Sequence, residues 1–211
     1  MTKKSSIKTR ERLLAAASEA FVAKGYRDAT VAEICARAGA NISAVNYYFG
    51  SKEALYREAW RHAFSEAIAA HPPDGGVAGN APAAERLRGR VKALLARIAD
   101  ENCKDFAISH MELTNPTGLL AEVMRSELTP LREKTEALVR ELLGPRASDA
   151  QVRFCEISIV SMCINPMLMR RIGHGGGKSG NGPPPIGDLE AFADHVVTFS
   201  LAGIAAVRGQ A

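Results

Sequence analysis

Between Thr30 and Lys52 the chain gathers side chains suited to one kind of chemistry, contact with a polyanion rather than the making or breaking of bonds. Ser43 and Asn46 carry hydroxyl and amide groups that hydrogen-bond base edges. Ala44 is small enough for close approach or contact with a thymine methyl, and Ile42 opens the same short segment. Tyr47 and Tyr48 add phenolic hydroxyls. Lys52 reaches a phosphate, as does Thr30 together with the backbone N–H groups that follow it. Patterns for catalysis are missing. There is no G-x-S-x-G elbow, and the five histidines and four cysteines fall in no recognised metal spacing. His110-x-Glu112 lacks the PCxxC partner of the zinc deaminases. Gly173 to Ser179 (GHGGGKS) imitates a phosphate-binding loop but is one residue short and follows no strand. No catalytic residue, cofactor or metal is expected.

Glycine and proline define the elements that must hold those side chains. No proline precedes Pro72, and only Gly25, Gly39 and Gly50 interrupt the first 70 residues. Each follows a stretch of helical character, where glycine accepts positive φ at a helix end. Leu13, Ala17, Ala20 and Phe21 fall on one face, predicting a helix from about Thr9 to Lys24. Thr30 with Glu33 reads as a capping box for a helix over Val31 to Ala38. Asn41 caps a short helix from Ile42 to Phe49, and Ser51 caps one from Lys52 to about Ala70. Two short helices joined by Gly39-Ala40-Asn41 have the proportions of a helix-turn-helix, whose second helix enters the major groove. A small helical bundle with aromatic surface residues has the same outline.

The charge is distributed unevenly. Net charge is +4, but residues 1 to 62 carry 11 Lys+Arg against 6 Asp+Glu, whereas the remainder carries 16 against 17. The whole basic excess therefore lies in the first part, as a polyanion partner would require, although a solvated basic surface would look the same. The apolar runs fall short of the roughly 18 residues that span a bilayer, and Met1 to Arg12 has no apolar region behind it. Neither a membrane span nor a secretory signal is expected. Cys35, Cys103, Cys155 and Cys163 form no CxxC pair and read as reduced thiols of a cytoplasmic protein.

His71 to Pro82 (HPPDGGVAGNAP) reads as a linker. Beyond it the helical pattern resumes: Leu87 to Ile98, a short helix around Leu119 to Met124, and a helix over Leu128 to Leu142 with Thr129 as cap and Pro130 in its first turn. Ser148 and Gln151 form a capping box for a helix that Asn165-Pro166 ends or kinks. Gly173 to Gly187 is a loop too rich in glycine and proline to pack a core, and a last helix starts near Asp188. No stretch alternates with a period of two. The chain reads as all-α, about nine helices: a three-helix head and a C-terminal helical domain, with the boundary placed between residues 60 and 61.

The segment Thr9 to Trp60 resembles the DNA-binding domain of the TetR family of bacterial transcriptional repressors. The resemblance rests on Phe21 before Lys24-Gly25-Tyr26, Thr30 before a short helix, Ala38-Gly39, Tyr48-Phe49, Ser51-Lys52 and Glu53-Ala54-Leu55. It covers about a quarter of the chain. The family's phosphate contacts carry over onto Thr30, Tyr48 and Lys52. The chain departs from the common pattern with Ala40-Asn41 after the glycine and with Asn46 and Tyr48 where Tyr and His are frequent, so Asn46 points to a base. The stretch ANISAVNYYFGSKEALY is similar to the CecR-like subgroup, linked to efflux and drug-tolerance genes.

The resemblance implies a dimeric, ligand-responsive repressor on a near-palindromic double-stranded DNA operator, released by a small-molecule inducer. It further implies a homodimer formed by the last two helices, Ser148 to Met167 and Asp188 to Val207, where Ala202, Gly203, Ala205 and Ala206 allow close approach; the same small residues also suit an ordinary core. Candidate pocket residues are Phe106, Met111, Met124, Phe154, Met162 and Met167, with His110 and Glu112 as polar handles. Such residue types also fill ordinary cores. The alternatives are a helical small-molecule-binding or adaptor protein that no longer reads DNA, and a cytoplasmic enzyme using the C-terminal cavity.

Overall fold

The structure is a computed structural model that describes the backbone over residues 3–174 and 186–209 and side chains over 6–166 and 186–209. Among the described residues there are nine helices and no strand: α1 (Lys3–Asp28), α2 (Val31–Ala38), α3 (Ser43–Phe49), α4 (Lys52–Ala70), α5 (Ala83–Ala99), α6 (Lys104–Thr114), α7 (Ala121–Leu143), α8 (Asp149–His174) and α9 (Leu189–Arg208). The expected all-α class is what the chain adopts. The count agrees with expectation for a mixed reason. The sequence pattern marks no helix at α6 and divides α7 in two. Pro130 lies inside α7 rather than in a first turn. It is exposed, so its ring displaces only one backbone bond on a surface-facing turn while the apolar residues on either side keep the helix packed. Pro166 likewise lies within α8, which runs on to His174. Met167 and the glycine-rich Gly173 to Gly187 loop, apart from its last two residues, lie outside the residues whose side chains are described.

The chain forms two compact units, Met1–Ala69 with Glu101–Glu127, and Ala70–Asp100 with Leu128–Ala211. In the first, α1 packs on α2 and α6. Its core holds Leu13, Leu14, Phe21, Ile34, Val45, Leu55, Tyr56 and Trp60, all essentially inaccessible. Burial of a side chain such as Phe21 contributes about 1.5–3 kcal/mol. Phe21 meets Tyr56 edge-on at 4.7 Å and Tyr26 lies 5.0 Å from Tyr56, so three aromatic rings tie α1 to α4. Gly25 breaks the helical path inside α1 with φ 71°, a conformation costly for any residue bearing a Cβ.

In the second unit, α5, α8 and α9 pack on one another around Leu87, Val91, Leu95, Val152, Ile159, Val196 and Val197, and α7 adds Leu138, Val139 and Leu143. The Ser148–Gln151 box is formed in both directions, with Gln151 N–H donating to Ser148 Oγ at 3.2 Å and Ser148 N–H to Gln151 Oε1 at 2.9 Å. Asp188 caps α9 through the Ala191 N–H at 2.9 Å. By length and composition α9 alone among the described helices meets the requirement for crossing a bilayer, against the sequence expectation. Its Ala193, Val196, Val197 and Ile204 are nevertheless spent on this core.

Candidate nucleic-acid interface

The helix-turn-helix is set by its caps. Thr30, extended at φ −103° and ψ 147°, accepts the Glu33 N–H on its hydroxyl at 3.2 Å. The return half of the expected box is replaced: the Glu33 carboxylate takes Lys24 Nζ at 2.8 Å and Arg37 Nη2 at 2.9 Å, and these bonds, that from Lys24 first, hold its pKa below the usual range. Gly39 then turns the chain in the left-handed region, φ 59° and ψ 41°, with its N–H on the Ala36 carbonyl. Asn41 Oδ1 accepts both the N–H of Ser43 at 3.0 Å and its hydroxyl at 3.1 Å. Asn41 is thus the cap anticipated, and Ile42 already has helical angles. Val45 is buried beneath α3, and Cys35 Sγ lies 4.0 Å from the Ile42 carbonyl, closing α2 against α3.

One face of α3 and the residue before it point outward. Ile42 is 57% and Tyr47 79% exposed, Ser43 and Asn46 are exposed, and Ala44 is half-buried. Large apolar and aromatic side chains left in water on a short helix, beside an exposed amide, form a contact surface in waiting. Two predicted contacts are placed less directly. The Tyr48 hydroxyl is buried without a hydrogen-bond partner among the described residues, its ring 4.8 Å from that of Tyr47. Lys52 Nζ donates to the Arg27 carbonyl at 3.3 Å and stands 4.5 Å over the Tyr26 ring. Burial lowers its pKa, against the raising influence of Glu53 and Asp28. The ammonium thus closes the C-terminal end of α1. The K-G-Y and S-K-E steps of the sequence hold both partners of this contact, but only the fold brings them together.

The comparisons with known proteins agree with this geometry. Residues 13–59 match the family described as bacterial regulatory proteins, tetR family, and residues 83–204 match the C-terminal domain of the HTH-type transcriptional dual regulator CecR. The chain belongs to the TetR family, with a CecR-type C-terminal domain. It is 53% identical over 47 residues to the HTH-type transcriptional dual regulator CecR of Shigella flexneri, covering 22% of this chain and 21% of that protein. It is 41% identical over 56 residues to the uncharacterised HTH-type regulator YdgC of Bacillus subtilis, 26% of this chain and 29% of that one. The matching stretches thus span less than a third of these curated relatives. Solved structures extend the likeness in fold. A TetR-like regulator from Rhodococcus sp. RHA1 superposes with a TM-score of 0.68 at 18% identity over 93% of this chain and 96% of that one. The fatty acid degradation regulator FadR from Bacillus halodurans gives 0.70 at 17% identity over 92% and 95%.

The candidate pocket residues of this TetR-family chain are divided between the two units. Phe106, His110, Met111 and Met124 belong to the first unit, Phe154 and Met162 to the second. Met111 packs against Gly25, where an added Cβ would lie 3.1 Å from its terminal methyl. Glu112, offered as a ligand handle, is instead a buried structural acceptor. Its carboxylate takes the Tyr56 hydroxyl at 3.2 Å, the Thr117 N–H at 3.0 Å, the Thr117 hydroxyl at 2.9 Å and the Gly118 N–H at 2.8 Å. No local pattern encodes this pairing, because 56 positions separate Tyr56 from Glu112. Phe154 is 65% exposed on α8. In the second unit a groove of about 640 Å³ runs between α8 and α9, lined mainly by Val160, Met162, Ile164, Pro166, Phe192 and Val196, with Ser161, Asn165 and His195 as its polar members. Among the described members of the expected set, Met162 lines it.

Proposed function

We propose that this TetR-family regulator is a dimeric, ligand-responsive repressor that binds a near-palindromic DNA operator and is released by a small molecule. The observation that carries the reading is the outward face of α3: Ile42, Ser43, Asn46 and Tyr47 exposed on a helix anchored from beneath by Val45. Residues 1–60 act as the DNA-binding part and residues 61–211 as the dimerising and ligand-binding part. Ile42, Ser43, Ala44 and Asn46 serve the bases, Tyr47 adds a hydroxyl at the far end of the helix, and Thr30, Tyr48 and Lys52 hold the phosphate backbone. Tyr48 makes its contact once its ring turns outward, and Lys52 once its ammonium leaves the Arg27 carbonyl. Support for dimerisation comes from α8 and α9, which pack on each other yet leave Phe154, Ile157 and Phe199 half or more exposed, beside exposed Ala202, Gly203 and Ala206. Two α3 helices related by a two-fold axis call for an inverted repeat. The apolar α8–α9 groove is the place for an inducer in the second unit. The protein works in the cytoplasm, where its DNA is, and catalyses no reaction.

Selection of random duplexes by the purified chain tests the reading. An enriched inverted repeat is expected; a pool that remains random overturns it.

A further inference from the structure

Guanine and cytosine are read in the major groove by charged groups, Arg or Lys bidentate on guanine O6 and N7 and Asp or Glu on cytosine N4. From Asn41 to Phe49 this chain has none of the four residue types. The charges flanking that segment are engaged elsewhere. Lys24 and Arg37 both hold Glu33, at 2.8 and 2.9 Å, and Lys52 holds the Arg27 carbonyl at 3.3 Å. Polar groups on α3 are also partly spent. The Asn41 side-chain oxygen Oδ1 serves as cap, and the Ser43 hydroxyl donates to it. The exposed Asn46 amide makes no hydrogen bond among the described residues, so its oxygen and both N–H groups remain for a ligand. Ile42, 57% exposed, sits four residues earlier and therefore on the same face.

We infer that α3 reads A·T pairs: Asn46 takes an adenine through N6 and N7, Ile42 takes a thymine methyl, and guanine is absent from the base-contacted centre of each half-site. This rests on the repressor reading and names the DNA it prefers. One helical turn separates Ile42 from Asn46, about 5.4 Å along the axis, against about 3.4 Å per base-pair step. The two contacts therefore fall on adjacent pairs or with one pair between. Amide and adenine match donor to acceptor twice, a geometry no other base offers in this groove, and the Ile42 methyls lose water against a methyl rather than against a polar edge.

The test replaces single atoms of the DNA. In the duplex selected by the full chain, each adenine of a half-site is exchanged for 7-deazaadenine, each thymine for deoxyuridine and each guanine for 7-deazaguanine, and affinity is measured for wild type, Asn46→Ala and Ile42→Ala. The expected result is one adenine whose exchange weakens the wild type roughly 5- to 150-fold and leaves Asn46→Ala unchanged. A neighbouring thymine is expected to behave likewise towards Ile42→Ala, and the guanine analogues to have no effect. An enriched repeat in which only the guanine analogues cost affinity overturns the inference and spares the repressor reading. A library that yields no repeat overturns both.

Discussion

Single residues here carry more than one task, and substitutions separate them. Lys52 closes the α1 carbonyl end in the free protein and is assigned a phosphate in the complex. Lys52→Ala should therefore weaken operator and random DNA equally and lower the slope of log affinity against log salt by about one unit; an unchanged slope would refute the phosphate role. Glu156 is a buried carboxylate whose pKa is raised, first by loss of water and then by Glu136, with Arg132 and Arg153 opposing. A raised folded-state pKa means that the charged form is disfavoured by folding, so stability is full below the ordinary Glu range and declines as pH rises through the folded-state value. Glu156→Gln should raise the thermal midpoint at neutral pH, with no gain near pH 3; equal midpoints at both pH values would contradict this. At this scale the sequence was readable where a side chain acts on its neighbours. Thr30, Asn41 and Ser51 cap as their spacing implies. It was silent where partners are distant, as with Glu112 and Tyr56 or Lys52 and Tyr26, since no local pattern encodes a contact made across tens of residues.

At the scale of elements, α6 and the turn that follows it are held to α4 by directed bonds rather than by apolar area alone. Trp60 Nε1 donates to Ser109 Oγ at 2.9 Å, the Tyr56 hydroxyl to Glu112, and Arg57 Nε to the Leu119 carbonyl at 3.2 Å. Tyr56→Phe keeps the ring in its aromatic cluster but leaves a buried carboxylate one donor short, which should cost about 1–3 kcal/mol in denaturant unfolding. A loss below a few tenths would show that the bond contributes nothing net. The helix α6 escaped sequence reading because its 11 residues mix buried Ala107 and Ile108 with buried Asp105 and Glu112, so no clean apolar stripe marks it. For α7 the proline was read as a boundary, whereas an exposed proline within a long packed helix forfeits one hydrogen bond and the element continues. The second, third and fourth helices were legible to within a residue or two, with glycine at positive φ ending two of them, whereas α1 starts six residues before the expected Thr9 and runs past Gly25, which kinks it rather than ending it.

For the whole molecule, the proposed dimer would cover the exposed Phe154, Ile157 and Phe199. Phe199→Arg should shift the sedimenting species to the mass of one chain and weaken binding to an inverted repeat far more than to a single half-site, because the second head no longer arrives tethered. A stable dimer of that variant would place the interface elsewhere. The all-α class and the TetR-type head were visible in the sequence, whereas the α8–α9 groove was not, because its lining comes from two helices whose facing residues only packing reveals. The account as a whole depends on sequence-specific contact with DNA. The most direct test is the affinity of the purified protein for the selected duplex and for a scrambled duplex of equal length and composition, across a range of salt. The account predicts a preference of about a thousandfold or more for the selected duplex, with both affinities falling steeply as salt rises. Equal affinity for the two duplexes at every salt concentration would contradict it.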